Sequence, residues 1–501
     1  MTDFNYAPQR RRSLPAITLS RRQVMSGLPI SLVTASACRQ GTAKAAGATA
    51  SAVTGAVPLS YFGVDRFSTA DQWSRLKHAF EVAHAEKLVL AGDPDATYRH
   101  DGPLTLDGVS LDGHGCSLLA LSDGAQVLRC IGSHWRVANI RLLGAAQKRN
   151  SDNWGNGIWI GDEGGQVTTD FTLENVTVGA AAPGRGVAGA GFMFNNAHRG
   201  RIIRAVVRHS LADGIHITNG SSDLTFVEPL SESTGDDGFA VVSYRRHGKL
   251  CQRIRVTDGI SRDSAARGYS VVGGRDVVYE RVQVERSSAA GMYLYGEEAY
   301  DTYGVAQCQM IDPILKDCGT GRNLPAGFAN AALIIGGREG QDIYEGKIIS
   351  RGAADCVVRN PVIEGAGPAC TAAISTHQFA IRPHIVGANL RNIMPKSSSF
   401  QPNGIEVGGR DVIIERPAMT NVAGLAILIA RTASGHCVVS APRITGTRLR
   451  PGPINSFIYT EPAADLQQID IRNGMFSHGP DRLAIDLLPK GTLRLTANKM
   501  L

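Results

Sequence analysis

Three segments decide the fold: Ala212-Asp213-Gly214-Ile215-His216-Ile217, Asp236-Asp237-Gly238-Phe239-Ala240-Val241-Val242 and Ala266-Arg267-Gly268-Tyr269-Ser270-Val271-Val272. Each runs from a polar residue through glycine into alternating side chains of strand type. Aligned on the glycines, they put Asp213, Asp237 and Arg267 in one column. Strand alternation then sends Ile215, Phe239 and Tyr269 to one face and His216, Ala240 and Ser270 to the other. If the segments stack as successive turns of a solenoid, a row of charged groups stands on a rigid surface.

The pattern extends in both directions. Glycines also open strand-like runs at Gly157, Gly191 and Gly291, and similar turns occur at Ala332–Ile335, Gly404–Val407 and Gly424–Ile427. From Gly191 to Gly291 the glycines are spaced 23, 24, 30 and 23 residues apart, within the range of solenoid repeats. Further short strands lie between them, such as Leu224–Val227 and Val277–Val282. With 57 glycines and 6% aromatic residues, this predicts an all-β chain: a single-stranded right-handed parallel β-helix over residues 101–485, with 486–501 as a C-terminal tail. A β-propeller is the alternative, but its blades would repeat at a steadier, longer period. Ahead of the repeats, Trp73, Leu76, Phe80 and Val82/Ala83 have helical spacing, with Ser68 or Thr69 as N-cap. Lys87–Gly92 reads as a strand. Residues 58–100 thus form a short helix/strand cap over the open end of the core.

The formal charge of +7 is misleading. Residues 1–45 hold seven cationic residues against Asp3, a balance of +6, which leaves the rest near +1. A general nucleic-acid-binding surface has no support in that balance. Ser20-Arg21-Arg22-Gln23-Val24-Met25, followed by a weakly apolar stretch and Ala/Ser-rich sequence, resembles a twin-arginine export signal. The stretch is too short for a transmembrane span. The resemblance implies a periplasmic or secreted protein, with 1–45 as signal and 46–57 as linker; Cys38 loosely resembles a lipidation site. Of nine cysteines, none has CxxC spacing, which argues against a zinc ribbon. Cys116/Cys130, Cys308/Cys318 and Cys356/Cys370 are near enough in sequence to be bridged, and buried core thiols are the other reading.

Asp213, Asp236 and Asp237 would lie within one or two rungs of one another. Carboxylates so close do not all ionise freely, so one holds a proton near neutral pH, as acid/base cleavage of a glycosidic bond requires. Asp-Gly is also ordinary turn sequence. Adjacent rungs predict a separation near 5 Å, the retaining spacing; use of Asp236 could widen it to the inverting one.

These motifs resemble the polygalacturonase-like glycoside hydrolases (family 28) of the pectin-lyase superfamily, which carry Asn-Thr-Asp, Asp-Asp, Gly-His-Gly and Arg-Ile-Lys on consecutive rungs. The resemblance covers residues 213–295. It implies an inverting hydrolase in which Asp236 is the general acid and Asp213 and Asp237 position and activate water, with no cofactor. Arg267 stands where the family has His, and Tyr293 and Tyr295 stand where it has Arg and Lys, the residues that grip galacturonate. Tyrosine suits a neutral or differently substituted sugar. Trp159, His216, Tyr244, Arg267, Tyr293 and Tyr295 are the candidate contacts to a polysaccharide or oligosaccharide substrate. Two other functions fit the sequence. One is a lyase or epimerase on a uronate polymer, with Arg267 or Tyr293 as base and Ca²⁺ among the three aspartates. The other is a non-catalytic glycan-binding or exopolysaccharide-assembly protein on the same scaffold.

Overall fold

The structure is a computed structural model that describes residues 55–150, 154–324, 330–395, 401–447, 456–462, 465–485 and 492–501. The twin-arginine motif and Cys38 lie outside the described residues. The described chain is a parallel β-helix. One ladder carries the three motifs. Its central strands are β1 (Ile158–Gly161), β2 (Phe192–Asn195), β3 (Ile215–Thr218), β4 (Phe239–Val242), β5 (Tyr269–Val272) and β6 (Met292–Tyr295), each parallel to the next. The register pairs Ile215 with Phe239, Phe239 with Tyr269 and Tyr269 with Met292. Two more ladders complete each turn. Ser222–Val227 pairs with Gln252–Thr257, and Leu230–Glu232 pairs with Ile260–Arg262.

Packing explains the glycine that opens each strand of the first ladder. A Cβ at Gly214 would lie 2.6 Å from Ser231 Oγ, and one at Gly238 would lie 2.1 Å from Ser261 Oγ. The third ladder therefore packs directly beneath the glycine column, and no side chain fits between them. Inside the coil, Phe239 stacks on Tyr269 at 5.4 Å and meets Phe226 edge-on at 5.0 Å, contacts that add to apolar burial. Eight cysteines from Cys116 to Cys437 are buried free thiols, so none of the three sequence-close pairs is bridged.

Outside, the corners are tied from rung to rung. Arg199 makes two hydrogen bonds to Asp170, Arg253 to Asp223, Arg281 to Asp258 and Arg382 to Asp355. These eight residues have positive φ between 51° and 57°, the backbone of a tight corner. Much of the chain's charge is spent in such pairs.

The helix α1 (Trp73–Glu86) buries Leu76, Ala79, Phe80 and Ala83. Its N-terminus differs from expectation: Asp71 Oδ1, rather than Ser68 or Thr69, accepts the Trp73 N–H. Two further expectations change. The strand near Gly424 begins at Ile427, because Ile427 is the residue that pairs with Ile405. Finally, Thr492–Thr496 and Lys499–Met500 still pair in parallel with earlier rungs, so the coil continues into the segment read as a tail.

Candidate active site

The polar residue before each glycine does form a column. Gly191 donates its N–H to Asp213 O, Gly214 to Asp237 O and Gly238 to Arg267 O, at 2.8–3.0 Å. Each aspartate also serves the backbone. Asp213 Oδ1 accepts the Asp237 N–H at 3.0 Å, and Asp237 Oδ1 accepts the Arg267 N–H at 2.8 Å. Elsewhere in this column the same job is done by asparagine: Asn156 Oδ1 accepts the Ala190 N–H and Asn403 Oδ1 accepts the Leu425 N–H. The backbone bond needs an oxygen and not a charge. At the centre of the ladder the chain nevertheless places two carboxylates, in a buried setting where charge is expensive.

The second oxygen of each is held differently. Asp213 Oδ2 lies 2.6 Å from His216 Nδ1, so that nitrogen carries a proton. Asp237 Oδ2 accepts the Ser270 hydroxyl at 2.6 Å and has the Arg267 guanidinium at 3.7 Å. Asp236 Oδ2 accepts from Arg149 at 2.8 Å. One oxygen from each of Asp213, Asp236 and Asp237 lies within 4.8 Å of the other two. Asp236 has the most accessible side chain, at 31% exposed, against 13% for Asp213 and 5% for Asp237.

These settings drive the three carboxyls apart. Burial alone would raise Asp213, but the His216 hydrogen bond and charge, with Arg149 and the Asp237 N–H, hold it below the usual carboxylate range. Burial raises Asp236, and the neighbouring Asp213 charge adds to this against the pull of Arg149. Burial pushes Asp237 up to about 7, opposed first by Arg267 and reinforced by Asp236 and Asp213. The cluster thus sets one carboxyl pushed toward ionisation against two pushed toward holding a proton, which is what divides acid from base in paired-carboxylate sites. The three oxygens are close enough to share a Ca²⁺. Two guanidiniums already balance their charge, and a divalent cation would sit beside both.

The candidate contacts fare differently. Arg267 is spent: it pairs with Asp237 and Glu297, and its guanidinium lies 4.4 Å above the Tyr293 ring. Its pKa is well above the usual value, because Asp237 and Glu297 outweigh burial. Burial and Glu297 push Tyr293 upward as well. Tyr295 stacks on Tyr293 at 4.9 Å. His216 is 6% exposed and faces the ring of Tyr244, itself 8% exposed and packed on Ala240, Val242 and Val272. Neither stands open to a substrate. Trp159 does share the His216 column, through Met193. It is only 7% exposed, under Met193 and Trp154, so it is not an open stacking platform.

Sequence reading missed Arg149, whose contact spans 87 residues. It sits on a segment anchored by Ala146, paired with Gly186, and by the Asn150 N–H on Ala188 O. No repeat or motif marks it. Glu297 lies two residues beyond Tyr295, in a Glu297-Glu298 pair that no repeat or motif marks.

No protein-family model matches the chain, and no curated protein matches it. Solved structures do. The catalytic unit of a GH87 α-1,3-glucanase from Streptomyces thermodiastaticus is 13% identical, with 90% of this chain and 70% of that one covered and a TM-score of 0.50. The mannuronan C-5 epimerase AlgE6 A-module of Azotobacter vinelandii is 11% identical, over 89% and 99%, at 0.48. PfbA, a surface adhesin of Streptococcus pneumoniae, is 11% identical, over 89% and 90%, at 0.47. The chain has the parallel β-helix fold. A fold of this kind does not set an activity, so function must be argued from the site.

Proposed function

We propose that the chain is a glycoside hydrolase that cleaves a glycan by carboxylate acid/base catalysis. One observation carries this reading: Asp213 and Asp237 stand where Asn156 and Asn403 make the same backbone bond without charge. In the proposed reaction Asp236, the most accessible and with a raised pKa, protonates the departing glycosidic oxygen. Ionised Asp213 takes a proton from the attacking water, and Asp237 orients that water. Both oxygens of Asp213 and of Asp237 are already engaged. That suits holding water better than direct attack on the sugar, so inversion at the anomeric carbon is expected although one oxygen of each carboxyl lies within 4.8 Å of the others.

A neutral glycan fits better than a uronate. Arg267 is already neutralised, and Tyr293 and Tyr295 offer rings rather than cations. The lyase alternative needs Arg267 or Tyr293 as base, and the pKa of each is pushed upward, away from that role. We also infer export by the twin-arginine route, from Arg21-Arg22 and the segment that follows. Replacing both arginines with lysine and fractionating cells would test that inference; unchanged export would refute it.

The function is tested by incubating purified protein with neutral and acidic glycans, α-1,3-glucan and bacterial exopolysaccharides included, and reading the products by mass. New reducing ends from a neutral glycan are expected. Unsaturated products that absorb ultraviolet light would favour a lyase.

A further inference from the structure

Trp154 is the one tryptophan of the described chain left largely open, at 45% exposed. Its neighbours are not loose. The Gly155 carbonyl accepts the Gly189 N–H at 2.9 Å, and Asn156 is tied to Gln126 and Ala190. One side of the ring is backed by Trp159 at 5.2 Å and 65°. A large aromatic group backed on one side yet open on the other is a ready contact surface.

Its position links it to the carboxylates. Strand register aligns Gly155 with Gly189, Ala212 and Asp236 on successive rungs. Trp154 therefore lies next to the Asp236 column and three rungs away, about 14 Å at the rung spacing. Leu211, Gly235 and Asp236 remain partly exposed along this line, while His216 and Ala240 one column group over are buried. Between Trp154 and Asp236 the intervening rungs carry small residues, with Ala188, Ala190 and Ala212 buried, and Arg149 grips Asp236 at the far end.

We propose that Trp154 is a remote sugar-binding subsite, on which a neutral pyranose ring stacks a few residues along the glycan from the bond presented to Asp236. An aromatic face takes the apolar C–H side of a sugar ring and gains nothing from a carboxylate. This rests on the hydrolase reading only in taking Asp236 as the point of cleavage.

Binding tests it apart from turnover. The full chain carrying Asp236→Asn is applied to an array of neutral glucans, mannans and xylans beside alginates and galacturonans. Binding to at least one neutral oligosaccharide is expected. Adding Trp154→Ala should weaken it by about tenfold for long chains, the scale of losing one aromatic anchor. Disaccharides of the same linkage should be unaffected, and Trp154→Phe should recover most of the loss. Unchanged melting of Trp154→Ala checks its fold. Binding to uronates alone, no binding at all, or indifference to Trp154→Ala and Trp154→Phe would overturn the subsite. If the wild type cleaves nothing while Trp154→Ala still weakens binding, the subsite stands and the hydrolase reading falls.

Discussion

Arg149 Nη1 donates to Asp236 Oδ2 at 2.8 Å across 87 residues of chain, so a segment between β-helix turns holds the most accessible carboxylate of the cluster. Arg149 pulls the Asp236 pKa down against burial and Asp213. Arg149→Gln should therefore move the alkaline limb of the pH–rate profile upward and lower kcat/KM by roughly tenfold to a hundredfold, since a misplaced acid transfers its proton poorly. A merely structural arginine would lower activity without moving the limb.

The asparagines at 156 and 403 predict how the aspartates tolerate substitution. Asp213→Asn and Asp237→Asn keep the oxygen that accepts the next rung's N–H. Both variants should fold, with far-ultraviolet circular dichroism unchanged, and turnover should fall by about 10² to 10⁴, the usual contribution of acid/base groups. Asp213→Ala and Asp237→Ala leave that N–H without its partner and should also lose about 1–3 kcal/mol of stability. Equal melting of the Asn and Ala variants would refute the shared role.

Asp237 sets a pH signature. Its carboxyl is raised to about 7 in the folded protein from 3.8. Between these values the folded state binds more protons than the unfolded one, so its contribution to stability falls as pH rises. Relative to Asp237→Asn, the wild type should lose melting temperature between about pH 4 and pH 7. Activity that needs a proton on the Asp236/Asp237 pair should decline above about pH 7. A profile flat to pH 9 would contradict the assignment.

The cysteines give a check on the core. Burial raises the thiol pKa of Cys116, Cys251, Cys318, Cys370 and Cys437 to between about 11 and 12. A thiol-specific reagent should leave all eight unreacted in the native protein and label all eight after unfolding. A reductant should leave the melting temperature unchanged; a drop would reveal a disulfide.

The fold was legible because its period is local. Gly214, Gly238 and Gly268 each open a strand, and alternation assigned the faces without reference to the rest of the chain. The carboxylate column was legible for the same reason. What covers the column was not. Arg149 and Glu297 reach the site, and Trp154 covers Trp159, from irregular segments with no repeat of their own. Their burial of Trp159 and their neutralisation of Arg267 depend on contacts that no spacing encodes. Thus Trp159 and Arg267 occupied the expected columns, yet their side chains are engaged by the protein itself.

The most direct test of the proposed reaction is product analysis in H₂¹⁸O with the wild type and the Asp236→Asn/Asp237→Asn double variant. For the glycan that the wild type cleaves, one ¹⁸O should appear at each new reducing end, and the double variant should release no product above background. Unsaturated ends without ¹⁸O, or undiminished cleavage by the double variant, would contradict hydrolysis by these carboxylates.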